Sequence, residues 1–410
     1  MRILFVALQF PIPANNGLKM RSWSLLQALA AEGHELSLVY FRDSSELRAE
    51  VLPLGSVCRD VTAVPFRFTS LSSSRDYWKR ALALFSLQPY AAGRFHSPHM
   101  SERIKGLLSR YQFDLIIADT AFGMLNLPAT DVPIALNAHN LEYMILKRYL
   151  SHESNPLKLA YGWLETQKVR RWESDACFHA DYVMCCSKHD KELIRELCPR
   201  VPISVVPNIV DVNNYSPTTD VDESVLIYQG GMDWYPNRDA VEYLVFEILP
   251  ILRRLVPDCR VIVAGRNPSP EFRRQFESIP YVSFTGTVSD MRLEIAKAAV
   301  SVVPLRIGSG TRMKILEAAA MGKPIVSTTL GAEGLEFVDG SEIVLADQPQ
   351  AFADAVAGFL RDAARRRSLG RAARRRVEQQ YSMTALRASL RDLTVTADGQ
   401  QAREVACQFQ

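Results

Sequence analysis

Short β-branched runs alternate with longer amphipathic segments along this chain, stop once, and start again; that interrupted rhythm constrains the fold more than any other feature. Strands separated by helical periods build parallel sheets covered by helices on both faces. In the first half the expected strands are 2–8, 34–41, 113–119, 133–139, 181–186 and 203–207. The stretch "PNIVDVNNYSPTTDVDES" (207–224) is polar, rich in Pro and Asn and without period, which marks a linker. Strands are expected again at 225–229, 260–265, 282–286, 300–305, 324–329 and 342–346. The sequence therefore predicts an α/β protein of two doubly wound domains, residues 1–206 and 207–380, then a helix over 381–394 and a frayed tail over 395–410.

Composition narrows the function classes. The 410 residues carry a net charge of +3, too balanced to demand nucleic acid as a partner. Seven cysteines without a C-x-x-C pair read as a reducing, cytoplasmic setting. The apolar start "MRILFVALQF" runs into Pro, Asn and Gly and reads as a first strand. No stretch approaches the roughly 18 apolar residues of a membrane span, so membrane contact is expected to be peripheral.

Ligands of doubly wound sheets bind at the carboxyl ends of the strands, so the loops there carry the functional reading. The first such turn, "FPIPANNGLKMRSWSLLQAL", opens a helix at Gly17 with Lys19 and Arg21 in its first turn. Cations there oppose the positive end of the helix dipole, and an anion reverses the penalty. A phosphate at Gly17 assisted by Lys19 is one reading, and a tight turn with solvated cations is the other. The loop "RIGSGTRMK" (306–314) repeats the logic. Gly308 and Gly310 let the backbone approach a ligand, Ser309 and Thr311 are expected to cap the helix, and Arg312 and Lys314 bring positive charge to its start. Two such loops facing one cleft would clamp a diphosphate.

On a helix starting at Thr311, the residues Met313, Leu316 and Ala320 form an apolar stripe, and Glu317 falls at its edge. A carboxylate there needs partners. A ribose diol would supply two donors; an ion pair with Lys314 would serve as well, and spacing leaves both open.

These loops, with "NAHN" (137–140), "ADYVMCCSKHDKEL" (180–193), "VVPNIVD" (205–211), "FTGTVSD" (284–290) and "VVPLRIGSGTRMKILEAAAMGKPIVST" (302–328), resemble the retaining family 4 glycosyltransferases over nearly the whole chain. The resemblance implies the GT-B fold, two Rossmann-like domains facing a cleft with a terminal helix crossing back to the first. It implies transfer of a sugar from a nucleotide diphosphate donor to an acceptor hydroxyl, with neither metal nor cofactor. Basic side chains, here Arg312 and Lys314, and helix termini neutralise the leaving diphosphate. By position, Glu317 matches the family's ribose-binding glutamate, and His139 the histidine beside the transferred sugar. Gly231, Arg266 and Val288, on loops after the first three strands of the second domain, are further donor contacts, with Gly17, Lys19 and Gly308 to Thr311.

The chain departs from the pattern in two places. Ser309 replaces the first glutamate of the family's pair, and Met232 and Asn237 stand where an Arg and a Lys are expected. Arg312 and Lys314, with Lys19 reaching across, could substitute for that charge. A bacterial branch associated with exopolysaccharide assembly shares "G-x-G-T-R-x-K-I-L-E-A" and "M-D-W-x-P-N", which implies a lipid-linked glycan acceptor and work at the inner face of the membrane. Two other readings stay open: a nucleotide-sugar 2-epimerase on the same fold, and a non-catalytic nucleotide-sugar-binding subunit.

Other features weigh less. "CFHADYVMCCSKH" (177–189) offers zinc-ligand types at a spacing that matches no familiar tetrahedral site. The aromatic and basic stretch 75–95 reads as a core helix or as a lipid- or acceptor-facing surface. The Arg-rich run 361–380 reads as a solvated helix pair broken at Gly370.

Overall fold

The computed structural model describes residues 1–43, 52–66, 86–218, 221–266 and 268–391. These fall into two compact units, Met1–Pro207 with the chain from Leu386 onward, and Asn208–Ala385.

The first unit is built on a parallel sheet of seven strands: β1 (Arg2–Ala7), β2 (Glu35–Asp43), β3 (Asp60–Phe66), β4 (Leu115–Asp119), β5 (Ile134–Ala138), β6 (Tyr182–Cys185) and β7 (Ile203–Val205). Their order is β3-β2-β1-β4-β5-β6-β7. All six strands expected here are present. β3 is additional: it lies at the sheet edge, where Pro65 is tolerated because no neighbour needs its missing N–H. β1 and β4 are buried almost throughout, as strands covered on both faces must be. The chain leaves β1 on one side and returns at β4 on the other, which puts a topological switch point between them.

Helix α1 (Gly17–Ala31) starts where Asn16 caps it, its side chain accepting the Lys19 N–H at 2.9 Å. α2 (Glu142–Leu150) follows β5, and α3 (Pro156–Phe178) takes Asn155 as cap and Pro156 as first residue. Leu4, Val6, Val39, Phe41 and Ile116 fill the layer over the sheet. Each fully buried side chain of this size contributes about 1.5–3 kcal/mol.

The second unit repeats the design with β8 (Asp222–Gln229), β9 (Arg260–Ala264), β10 (Val282–Gly286), β11 (Ala298–Val303), β12 (Ile325–Ser327) and β13 (Val344–Leu345), in the order β10-β9-β8-β11-β12-β13. Its switch point lies between β8 and β11. The backbones after β8 and β9 nearly touch: a Cβ on Gly265 would sit 1.9 Å from the Gly230 carbonyl oxygen. α4 (Tyr235–Glu242) follows β8, and α5 (Met313–Ala320) follows β11.

The Arg-rich run differs from its sequence reading. Ala363–Gln380 is one continuous helix, and Gly370 lies inside it instead of breaking it. A Cβ at Gly370 would meet the Gly322 carbonyl oxygen at 1.9 Å, so the glycine permits close packing. Arg366 in this run is buried, donating to the carbonyls of Phe359 and Leu360. Helical residues 383–391 run from the second unit into the first, which they join at Leu386; there Arg387 and Arg391 pair with Glu32 at the end of α1, Arg391 at 2.7 Å. Those two hydrogen bonds, Arg391 foremost, hold the Glu32 carboxyl down to about 2. The tail after Thr394 and most of the 75–95 stretch lie outside the described residues. Among the described residues no helix is long and apolar enough to cross a membrane.

Candidate functional site

β1, β4 and β5 are neighbours, so residues at their carboxyl ends converge. His139 is the first residue after β5 and Asp119 the last of β4. His139 Nε2 donates to Asp119 Oδ1 at 2.6 Å, and the same oxygen accepts from Asn137 Nδ2 at 2.7 Å. Asp119 Oδ2 accepts from Ser22 Oγ of α1 at 2.6 Å. Burial alone would raise this carboxyl, but His139, Ser22 and Asn137 more than offset it, and its pKa is lowered. The ionised Asp119 fixes the proton of His139 on Nε2 and leaves Nδ1 as the nitrogen available to a ligand.

Behind this pair, Arg21 donates through Nε to Asn137 Oδ1 at 2.9 Å and through a terminal nitrogen to the Val206 carbonyl at 2.8 Å. Arg21 is therefore neither a solvated cation nor a loop cation held open for phosphate; it is buried and braces the His139 network. Gly17 is the first residue of α1, and Lys19, two residues on, is buried as well.

The candidates of the second unit lie on loops leaving four adjacent strands: Gly231 after β8, Arg266 after β9, Val288 after β10 and Gly308 to Thr311 after β11. Arg266 pairs with Asp233 at 3.4 Å. Gly310 has φ 72°, a left-handed conformation suited to glycine. The buried Arg312 folds its guanidinium back onto the carbonyls of Ser309 and Gly310, holding the loop from within.

α5 starts at Met313, later than expected, and its capping residue is Arg312, without a side-chain cap bond. Ser309 and Thr311 do not cap it; Thr311 Oγ1 accepts from Asn208 Nδ2 at 2.6 Å. The apolar face is also broader than the sequence stripe, with Ile315, Leu316 and Ala318 to Ala320 buried and Met313 half-buried.

Lys314 Nζ donates to Tyr228 Oη and to Asn237 Oδ1, each at 2.9 Å, and Tyr228 Oη donates to Asn237 Oδ1 at 2.8 Å. Burial, with Arg312 behind it, lowers the ammonium to about 7. Asn237, one of the two departures from the family pattern, is thus the residue that holds Lys314. Glu317 does not hydrogen-bond to Lys314. Its Oε1 accepts from Tyr215 Oη at 2.9 Å, and burial raises its pKa. The structure so gathers the Gly308 to Arg312 loop, Lys314 and Glu317 at one end of the second unit's sheet, together with Tyr215, Tyr228 and Asn237.

The cysteine cluster is inert by comparison. Cys185 and Cys186 are buried, their thiols pushed up by burial to about 12 and about 11. Among the described residues no three His, Cys, Asp or Glu side chains converge to hold a metal ion.

Two family profiles match the chain: "Glycosyltransferase Family 4" over residues 15–214 and "Glycosyl transferases group 1" over residues 223–362. A curated relative, an uncharacterized 44.6 kDa protein in the cps region of Klebsiella pneumoniae, is 21% identical over 368 residues, covering 87% of this chain and 90% of that one. Among solved structures, sucrose-phosphate synthase from Thermosynechococcus elongatus superposes with a TM-score of 0.71 at 18% identity, covering 100% of each chain. HepE from Anabaena, crystallised with UDP and glucose, gives 0.67 at 15% identity, covering 96% of this chain and 99% of that one. At these identities the structural likeness is one of fold, the GT-B architecture. The two profiles follow one another along the chain and fall on the first and second units in turn, and the chain belongs to the family 4, group 1 glycosyltransferases.

Proposed function

We propose that this glycosyltransferase moves a sugar from a nucleotide diphosphate sugar to a hydroxyl of a lipid-linked glycan, with retention of anomeric configuration, in surface polysaccharide assembly. The observation that carries the donor assignment is Lys314, a half-buried ammonium in the first turn of α5 held by two neutral groups. Such a cation, beside the positive end of a helix dipole, favours an anion. Glu317 accepts hydroxyls of the ribose beside the oxygen that Tyr215 occupies. Gly231, Arg266 and Val288 border the nucleoside.

In the transfer, the acceptor oxygen bonds to the anomeric carbon on the face from which the diphosphate departs. The bond between that carbon and the diphosphate oxygen breaks, and the acceptor proton passes to the departing diphosphate. Lys314 and Arg312 stabilise the charge developing there, in the role a metal ion plays elsewhere. His139, oriented by Asp119, attends the sugar.

The HepE complex with UDP and glucose supports a uridine diphosphate donor, and the relative's place in a cps region supports polysaccharide assembly. A lipid-linked acceptor requires work at the inner membrane face, and among the described residues no helix is long and apolar enough to span it. The test is a metal-free panel of UDP-, GDP-, ADP- and CMP-sugars, read by thermal shift and by nucleotide release with and without membrane lipid extract. Binding of one donor with lipid-stimulated release is expected. Binding without release under any acceptor condition favours a binding subunit, and no binding at all refutes the donor reading.

A further inference from the structure

A cavity of about 20 Å3 lies at the carboxyl ends of β4 and β5 in the first unit, walled on its polar side by Thr120, His139, Asn140, Glu142 and Glu173. That volume holds one water or one hydroxyl. Three observations give it a purpose. Thr120 Oγ1 is buried with no hydrogen-bond partner among the described residues, and Thr120 itself has φ 73° and ψ 162°, a region that β-branched residues enter only under constraint. Glu142 accepts one bond, from Asn140 Nδ2 at 3.0 Å, and its second oxygen makes none among the described residues. Glu173 spends both oxygens on the N–H groups of Glu142 and Tyr143, at 2.7 and 3.0 Å.

Among the described residues no Lys or Arg lines the cavity, and none balances its two carboxyl groups. Burial, and then the facing Glu142, pushes Glu173 up to about 8, and burial raises Glu142 as well. Two interacting carboxyls of this kind share a proton at neutral pH. A wall built this way both donates to and accepts from a neutral oxygen, and it repels an anion.

We propose that the cavity of Thr120, His139 and Glu142 seats the hydroxyl of the acceptor sugar, selecting a neutral alcohol over a phosphate or carboxylate. The assignment rests on the transfer reading above. Glu142 and Thr120 position the oxygen and take no proton from it, since that proton leaves with the diphosphate.

Two measurements test it. In crystals soaked with glycerol or with inorganic phosphate, a water or glycerol oxygen bonded to Thr120 Oγ1 and Glu142 is expected, and phosphate is excluded; a dry cavity, or one that takes phosphate, overturns the proposal. In solution, Glu142→Gln and Thr120→Val are compared with wild type for nucleotide affinity, melting temperature and release of nucleotide from the nucleotide sugar with water as acceptor. Release should fall roughly tenfold at unchanged nucleotide affinity and melting temperature. Unchanged release in both variants overturns the proposal. Loss of nucleotide affinity in both variants also overturns it, because the cavity would then belong to the donor. A wild type that binds no nucleotide sugar indicts the transferase reading instead, and the soaked crystals judge the cavity independently.

Discussion

His139 Nε2 and Asp119 Oδ1 are 2.6 Å apart, and the carboxylate of that pair is wholly buried while the imidazole is nearly so. Asp119→Asn removes the charge that fixes the ring's proton. A lost charged hydrogen bond is worth about 1.5–3 kcal/mol, so transfer should fall roughly tenfold to hundredfold if the bond matters in the transition state. Nucleotide affinity should not change, because the network belongs to the first unit. Because the folded pKa of Asp119 is depressed, its stabilisation is fully present above about pH 4 and declines as pH falls through the folded value. An acid titration of stability in wild type and Asp119→Asn should diverge above that window and converge below it.

Lys314 makes nucleotide binding a proton-linked event. Its pKa is about 7 in the folded protein against a reference of 10.5, so between those values the unfolded chain holds more protons and stability rises with pH. An anion at Lys314 restores the proton, and the Kd for a nucleotide diphosphate should weaken as pH climbs past 7. Calorimetry near about pH 8 in buffers of different ionisation enthalpy should detect proton uptake on binding. Lys314→Gln should abolish the uptake and weaken binding by about 1.5–3 kcal/mol. Equal heats in all buffers for wild type would contradict the linkage.

Glu317 and Tyr215 separate two contributions that a single variant would merge. Glu317→Ala should weaken nucleotide binding by about 1.5–3 kcal/mol through the lost ribose contact. Tyr215→Phe deletes only the internal donor, costing about 1 kcal/mol of stability, and should leave nucleotide affinity within a few-fold of wild type. Equal losses of affinity in the two variants would mean that the ribose does not bind Glu317 directly.

Gly370→Ala places a methyl group 1.9 Å from the Gly322 carbonyl oxygen, where backbone meets backbone. Helix propensity alone would favour alanine by about 1 kcal/mol, yet overpacking of this kind costs about 1–3 kcal/mol. Thermal or denaturant unfolding should show net destabilisation. A stabilised variant would show that the helix and the turn at Gly322 move apart without penalty.

The strands could be read from sequence because they are apolar on both faces and carry a continuous signal. β3 could not: its four half-buried leading residues and Pro65 make an edge strand look like a loop. Individual site residues stood out through local position, His139 at a strand end and Glu317 at the edge of an apolar helix stripe. Their partners did not, because the partners are remote in the chain. Asp119 is 20 residues from His139, Asn137 is 116 from Arg21, and Tyr215 is 102 from Glu317. Local spacing also offered Lys314 as a partner of Glu317, whereas the fold gives Lys314 the neutral oxygens of Tyr228 on β8 and Asn237 on α4. Gly370 reads as a helix breaker in any local code; only the neighbouring backbone at Gly322 shows why it is kept.

Because residues from Leu386 onward rejoin the first unit, the second interrupts it along the chain, flanked by the joints Pro207–Asn208 and Ala385–Leu386. Cutting the gene at either joint alone severs the first unit from one of its own pieces. An isolated second unit needs only two cuts, but an isolated first unit needs its halves spliced by a new connection. The ion pairs of Arg387 and Arg391 with Glu32 hold the chain past Ala385 to the first unit, so deleting residues 386–391 would leave the second unit joined to the first through Pro207–Asn208 alone.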